Sequence, residues 1–170
     1  MNLFPRRLLA PLLVFSFLIC ACGFQLRGAS LLPESMARVN LQAADMNSVM
    51  VDKLEAELAR SGVELSSDAA AATTVLTILS DTADERVLSV SALGEPQEYE
   101  LFHTVVFTMN TATGTVLEPV SVTLTRDYFF DEQDILGKSE DAVFLQDALA
   151  EDLARLIVRR AALALRAQGR

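Results

Sequence analysis

Apolar residues recur at helical spacing in two segments of the chain, one in the first half and one at the end. The first segment, residues 45–61, repeats an apolar residue every four positions, which predicts an amphipathic helix. Asp45 or Asn47 can cap its start, and Gly62 can adopt the left-handed conformation that ends a helix. The positions expected to be buried are Met46, Met50, Leu54 and Leu58, with Val51 beside them.

The second helical pattern, residues 140–167, combines a leucine stripe with a favourable distribution of charge. Ser139 can cap this helix after a loop over residues 128–138. Its acids lie at the start and its arginines towards the end, so both sets of charges interact favourably with the helix macrodipole. The leucines expected in the core are Leu145, Leu149, Leu153, Leu156 and Leu163.

Between the two helices, apolar and polar residues alternate with the period of two that is typical of β-strands. Turn sequences at 93–96 and 111–114 separate the longest runs, and Pro119 indicates a strand edge or a bulge. Another strand is predicted over residues 37–43, and residues 63–65 suit a short extended piece. The other runs predicted as strands are 73–80, 86–92, 97–110 and 115–126.

This order of elements predicts an α+β fold. Each helix has one apolar stripe and each strand one apolar face. The expected architecture is therefore a two-layer sandwich, with two helices packed on one face of a mainly antiparallel four- to five-stranded sheet. The length of the chain suits a single domain, placed at residues 22–170. The other sheet face should be small and hydroxylated, with Ser89, Ser91, Thr104, Thr108, Ser121, Thr123 and Thr125.

The first 21 residues have the pattern of a bacterial export signal. Arg6 and Arg7 precede an apolar run at 8–19, which is shorter than the roughly 20 apolar residues of a transmembrane helix. Residues 1–21 are therefore predicted to be a lipoprotein signal peptide and take no part in the fold.

The signal ends in Ile19-Cys20-Ala21-Cys22, which resembles the lipobox at which bacterial lipoproteins are acylated. Cys22 is the predicted lipidation site, because the bulky Ile19 would lie directly before Cys20. The alternatives are a Cys20–Cys22 disulfide, which is strained across one residue, and an ordinary signal peptide with incidental cysteines. More than one acyl chain gives stable anchoring. In lipoproteins of this type, an Asp directly after the cysteine commonly signals retention at the inner membrane. Gly23 stands at that position here, which favours transfer to the outer membrane.

The composition argues against several classes of protein. The 170 residues include 14 Lys and Arg against 23 Asp and Glu, a net charge of −9. Without the first 21 residues, which contain two arginines and no acid, the balance is 12 against 23, or −11. Such a charge would repel nucleic acid and does not suit a polybasic membrane-surface protein. Trp is absent and His occurs once, so we predict no enzyme, no metal and no cofactor besides the covalent lipid on Cys22.

Two possible catalytic features have simpler explanations. His103 lies on an apolar strand face without a nucleophile motif, so a structural histidine is expected. Glu98 and Glu100 share a strand face, as the carboxylates of a glycosidase would, but acids in this arrangement are usually just solvated. The chain has no Trp and two Tyr, so it lacks an aromatic platform for sugars.

Lys138 and Arg126 are the candidate ligands for an anionic group. Lys138 precedes the final helix, and a lysine ammonium binds phosphate well. Arg126 lies at the end of its strand and can join Lys138 if the loop folds back. The alternative is that Lys138 is a solvated loop charge that offsets the acids of residues 131–134.

Several short motifs resemble, in their order and spacing, the LptE family of Gram-negative outer-membrane lipoproteins. The resemblance covers essentially the whole mature chain and ends in a long helix rich in Leu and Arg. The motifs are Cys-Gly-Phe-Gln-Leu-Arg-Gly at 22–28, Pro-Gln-Glu-Tyr at 96–99, Arg-Asp-Tyr-Phe-Phe-Asp at 126–131 and Leu-Gly-Lys at 136–138.

The resemblance implies a lipid-anchored protein on the periplasmic side of the outer membrane, with LptD and lipopolysaccharide as partners. LptE proteins plug the LptD β-barrel, help to assemble it, and with it insert lipopolysaccharide into the outer leaflet. A basic residue before the last helix is implicated in lipopolysaccharide contact, and Lys138 matches it. Some members have a second basic residue in the turn that here spans 92–95. This turn has none, which predicts weaker binding.

The alternative function is a periplasmic-facing adaptor or auxiliary lipoprotein of a lipid ABC transporter. Such proteins also combine an acyl anchor with helices on a sheet. Co-purification with a large β-barrel protein would distinguish the two functions.

Overall fold

The computed structural model describes residues 32–129 and 135–168, and for residues 135–141 it describes the backbone alone. The described residues belong to one compact unit, Leu31–Arg170. The predicted signal peptide (1–21) and Cys22 lie outside them, and both stay predictions, as does the domain boundary at residue 22. The elements are a 3-10 turn (Glu34–Met36), β1 (Arg38–Ala43), α1 (Val49–Arg60), β2 (Glu64–Leu65), β3 (Thr74–Val90), β4 (Pro96–Thr111), β5 (Gly114–Phe129) and α2 (Ile135–Gln168).

The five strands form one mixed sheet in the order β2-β1-β3-β4-β5. β1 runs parallel to β2 and to β3, because α1 carries the chain back along the sheet between β1 and these strands. β3, β4 and β5 form an antiparallel meander. The predicted α+β architecture is confirmed, and the parallel pairs of β1 make the sheet mixed.

Both helices pack on the same face of the sheet. In β4 every second residue from Leu101 to Met109 is buried, as the alternation predicts. Burying a side chain of this size contributes roughly 1.5–3 kcal/mol, so this layer supplies much of the stability. The core includes Val39, Leu76, Phe107 and Met109 from the sheet, Leu54 and Leu58 from α1, and Leu153 and Ile157 from α2.

Helix α1 begins later than its apolar repeat suggests. Ser48 is its N-cap, with its Oγ accepting the Val51 N–H at 3.3 Å, so neither predicted cap fills this position. Asp45 instead accepts the Asn47 N–H at 2.9 Å in the turn before the helix. Met46, predicted to be buried, lies in that turn and is largely exposed. The stop at Gly62 is confirmed, since its φ is +82°.

Helix α2 begins at Ile135, earlier than predicted, so Lys138 lies in its first turn and not in a loop. Leu149 and Leu153 are buried as predicted, but Leu163 is 56% exposed. Leu163 follows the buried Ala161 by two residues, which turns it about 200° around the helix. The buried stripe continues instead through Ile157, Ala161 and Leu165.

The two strands predicted over 73–80 and 86–92 are one 17-residue strand, β3. The acids between them interrupt the alternation, but pairing with β4 continues through register shifts at Ile78/Ser80 and near Val87/Ser89. Cross-strand pairing outweighs intrinsic strand propensity here. The bulge predicted at Pro119 is confirmed: Phe107 pairs with Val120 and Met109 with Leu117, on an edge strand.

Candidate functional site

The sheet has two halves, divided at the register shift between Ile78 and Ser80. The proximal half lies under the helices. The distal half comprises residues 80–90 of β3, 96–106 of β4 and 121–129 of β5. Ten consecutive β3 residues, 79–88, are exposed, so this half extends beyond much of the core. The predicted site residue Arg126 lies in it.

Arg126 points from β5 towards the final helix. Its Nη2 donates to Asp152 Oδ2 at 2.6 Å, and Arg155 of the same helix also pairs with Asp152. Hydrogen bonds from Arg155 and then from Arg126 lower the pKa of Asp152, and the bond to Asp152 raises the pKa of Arg155. The Arg126 guanidinium therefore links β5 to α2. Because its side chain is still 41% exposed, the guanidinium also contacts solvent.

Two tyrosines lie further along the same sheet face. Tyr99 and Tyr128 stack with ring centroids 5.4 Å apart and planes at 15°. The Tyr128 hydroxyl donates to Glu85 Oε2 at 2.7 Å. Burial and then this hydrogen bond raise the pKa of Tyr128, so its hydroxyl stays protonated and keeps donating. The pair closes the distal end of the sheet with an aromatic surface.

His103 is buried on the helix-facing side of β4, within the distal half. Its Nε2 lies 2.6 Å from Asp81 Oδ1, which resembles the acid and base of a catalytic triad. Its direct cross-strand neighbours are Ala83 and Leu124, neither of which is a nucleophile. The arrangement therefore satisfies a buried polar side chain, as expected for a structural histidine.

The free face, the sheet face turned away from both helices, carries hydroxyl groups. Thr104 and Thr123 hydroxyls are 2.8 Å apart across β4 and β5, and Thr108 donates to the Leu117 carbonyl at 2.7 Å. The face is less uniformly small than predicted. Phe102 and Val106 also lie on it, opposite Thr125 and Ser121.

Glu98 and Glu100 both lie on this free face. Glu100 forms an ion pair with Arg86, whose guanidinium lies 6.0 Å from the centre of the Phe102 ring. Glu100 is thus engaged by a cation, as a structural acid would be. Among the described residues, no group of three His, Cys, Asp or Glu side chains could hold a metal ion.

Lys138 lies near Arg126 along the chain but has only its backbone described. Five residues, 130–134, separate the last residue of β5 from the first of α2. Arg126 instead binds Asp152, which lies fourteen residues after Lys138 in the same helix. At a rise of about 1.5 Å per residue, the Lys138 backbone lies about 20 Å along α2 from Asp152, so the described residues do not bring the two predicted anion ligands together. Cys22 lies outside the described residues.

The Tyr99–Tyr128 stack and the Arg126–Asp152 pair were not found from the sequence. A hairpin register counted from the 111–114 turn would have placed Tyr99 opposite Arg126. The bulge at Pro119 adds one residue to β5, a second register shift opposite Met109 and Asn110 adds another, and together they bring Tyr128 opposite Tyr99 instead. Pro119 itself was the signal, but its presence does not give the size of the bulge.

The family model LptE, described as lipopolysaccharide-assembly, matches residues 36–161. This range runs from the end of the 3-10 turn through most of α2. The chain belongs to the LptE family.

Two relatives of known name agree with the LptE assignment. The chain is 24% identical over 156 residues to the LPS-assembly lipoprotein LptE of Photorhabdus laumondii, covering 91% of this chain and 85% of the relative. It is 26% identical over 160 residues to the LPS-assembly lipoprotein LptE of Pectobacterium atrosepticum, with the same coverage.

The fold also resembles the crystal structure of the rare lipoprotein B from Shewanella oneidensis. That likeness has a TM-score of 0.71 and 23% identity, and covers 78% of this chain and 99% of the other. At this identity the likeness concerns the fold. No helix in the described part of the chain is long and apolar enough to cross a membrane.

Proposed function

We propose that this chain is an outer-membrane lipoprotein of lipopolysaccharide assembly that plugs the LptD β-barrel and helps to assemble it. Together the two proteins would insert lipopolysaccharide into the outer leaflet. The family match over 36–161 supports the assembly role. The role is non-catalytic and requires no cofactor besides a lipid on Cys22.

The observation that carries the plug proposal is the free face of the sheet. Both helices pack on the opposite side, and Ser121, Thr123 and Thr125 of the edge strand are exposed. The lumen of a large outer-membrane barrel is polar, so hydroxyl side chains on an uncovered sheet suit it. A sheet also gives the plug a broad surface, and in its middle this surface is formed by hydroxyl side chains.

Co-purification tests this proposal. Full-length tagged lipoprotein is isolated from detergent-solubilised outer membranes, and the bound proteins are identified by mass. The expected partner is LptD. Recovery of ABC-transporter components without a barrel protein would overturn the plug proposal and favour the adaptor function.

Two matched serine substitutions test the free face. Ser121→Glu places a charge on that face, whereas Ser67→Glu places the same charge on an exposed loop after β2. We expect Ser121→Glu to reduce recovery of LptD and Ser67→Glu to leave it unchanged. Equal recovery of LptD with both variants would show that this face does not meet the barrel.

The anchor proposal concerns Cys22. Mass analysis of the membrane protein should show a diacylglyceryl or triacyl group on Cys22 as the first mature residue. Cys22→Ala should release the protein from the membrane with its thermal unfolding unchanged, because residue 22 precedes every described element. A mature chain that starts at another, unmodified residue would contradict the proposal.

Lys138 and Arg126 are proposed to contact lipopolysaccharide phosphate. Lys138 is in the first turn of α2, and Arg126 keeps part of its guanidinium in solvent while bound to Asp152. Loss of one charge-assisted hydrogen bond weakens binding about tenfold. In low-salt buffer, binding should weaken in the order wild type, Lys138→Ala, Lys138→Glu, with the melting temperature nearly unchanged.

The control for this experiment is the barrel complex, which should survive both Lys138 substitutions because Lys138 is proposed to contact lipopolysaccharide and not the barrel. Unchanged lipopolysaccharide binding in both variants would show that Lys138 only offsets neighbouring acids. That result would remove the lipopolysaccharide contact and leave the plug proposal standing.

A further inference from the structure

The tip of the β3–β4 hairpin, residues 87–96, exposes four large apolar side chains. Leu93 is 86% exposed and Val90 56%, and Val87 and Leu88 are about half exposed. Val87 pairs with Tyr99, which stacks on Tyr128, so the apolar surface continues across the end of the sheet. Single exposed apolar residues are common, but a cluster at the end of a projecting hairpin indicates a contact surface.

Hydrogen bonds hold the turn at the tip in one shape. The Ser91 N–H donates to the Glu95 carbonyl at 2.7 Å, and the Gly94 N–H to the Ser91 carbonyl at 2.9 Å. The Ser91 hydroxyl oxygen accepts the N–H groups of Leu93 and Glu95, each at 3.2 Å. Gly94 has a φ of +82°, which a residue with a side chain rarely adopts. Leu93 is therefore presented by a preorganised turn, which lowers the entropic cost of docking.

Three acids lie at or near the tip: Glu95 in the turn, and Asp84 and Glu98 on the free face of β3 and β4. Together they are named the anionic collar. The neighbouring cation, Arg86, is engaged by Glu100. Within the described residues, no ion pair neutralises the three collar acids.

We propose that the hairpin tip docks into an apolar pocket with a cationic rim on the protein partner. The inference rests on the proposed function and assigns that pocket to the barrel. Leu93 and Val90 would act as apolar anchors, and the collar would select a rim of Lys or Arg. A second copy of this chain would bring two identical collars together, and lipopolysaccharide phosphate would be repelled. A basic protein surface is the occupant that the charge favours.

Site-specific photocrosslinking tests this assignment. A photoreactive amino acid is placed at Leu93 of the full-length lipoprotein, or at the exposed Leu163 of α2 as a control, and cross-linked in intact cells. The expected product at position 93 contains the barrel protein. A product with lipopolysaccharide alone, with a second copy of this chain, or no product would overturn the inference.

Substitutions test the apolar anchor and the anionic collar separately. Leu93→Asp should lower recovery of the barrel about tenfold, whereas Leu163→Asp should not. The double charge reversal Glu95→Lys with Glu98→Lys should lower it similarly, whereas Glu64→Lys on the exposed edge strand β2 should not. All variants should unfold at the wild-type temperature, because every changed side chain lies outside the core.

The outcomes distinguish this inference from the proposed function. If the wild-type lipoprotein recovers no barrel, the proposed function fails and the assignment of the tip fails with it. If the wild type recovers the barrel and the Leu93 and collar variants recover as much, the tip inference alone fails. Loss of lipopolysaccharide binding with full recovery of the barrel would also overturn it.

Discussion

The proximal and distal halves of the sheet share three strands but differ in what covers them. In the proximal half, Phe107 and Met109 are fully buried under the helices. In the distal half, Leu101 and Val105 of β4 are still buried on the helix-facing side, but ten residues of β3 are exposed. The proximal part of β3 therefore belongs to the core, whereas its distal part lies in solvent. The same kind of substitution should therefore change the free energy of unfolding by very different amounts in the two halves.

The largest contrast should come from two phenylalanines. Phe107→Ala removes a fully buried ring from the proximal core and should lower the free energy of unfolding by about 3–5 kcal/mol. Phe129→Ala removes a ring that is 80% exposed at the distal end and should change it by less than about 0.5 kcal/mol. Denaturant unfolding measures both. Similar losses would mean that the distal end is also part of the core.

A matched pair of leucines tests which face of α2 is buried. Leu149→Ala should lower the free energy of unfolding by about 2–5 kcal/mol, because this side chain is buried at the sheet. Leu163→Ala should have almost no effect, since Leu163 faces solvent. Thermal unfolding is sufficient to separate them. An equal effect at both positions would contradict the helix orientation described above.

The contact between His103 and Asp81 satisfies a buried polar side chain in the distal half. Asp81→Ala leaves the buried imidazole without its carboxylate and should cost about 1–3 kcal/mol of unfolding free energy. Asp84→Ala, three residues along β3 and exposed, is the control and should be nearly neutral. A double-mutant cycle with His103→Leu should show coupling between 81 and 103. Additive effects would exclude the contact.

The smallest expected effect is electrostatic. Asp152→Asn weakens the pairs with Arg126 and Arg155, which are partly exposed, so the cost should be about 1 kcal/mol at neutral pH. The pKa of Asp152 is lowered in the folded protein, so its contribution is present above the ordinary value of 3.8 and is lost as pH falls through the lowered value. Unfolding measured from pH 7 to pH 2 should show wild type and variant converging at the acid end. A constant difference would show that the carboxylate charge is not responsible.

Periodicity alone was enough for the elements whose pattern is strong. The strict alternation in β4 predicted its buried face, and Gly62 predicted the end of α1, because each depends on local geometry. The family resemblance was confirmed by the match over 36–161. Proposals for Cys22, Lys138 and Arg126 rest on that resemblance and on side-chain chemistry, and their experiments are given above.

Tertiary structure decided the features that depend on pairing over long distances. Asp81, Asp84 and Glu85 disfavour a strand locally, yet β4 provides a ladder of hydrogen bonds that keeps β3 continuous through them. Two register shifts in β5, one at Pro119 and one opposite Met109 and Asn110, decide that Tyr128, and not Arg126, meets Tyr99, which leaves Arg126 to pair with Asp152. Sequence periodicity shows which face of a strand is apolar. Which side chains meet depends on the strand register and on how much of the sheet the helices cover. Both are set by contacts between residues far apart in the chain, which periodicity does not show.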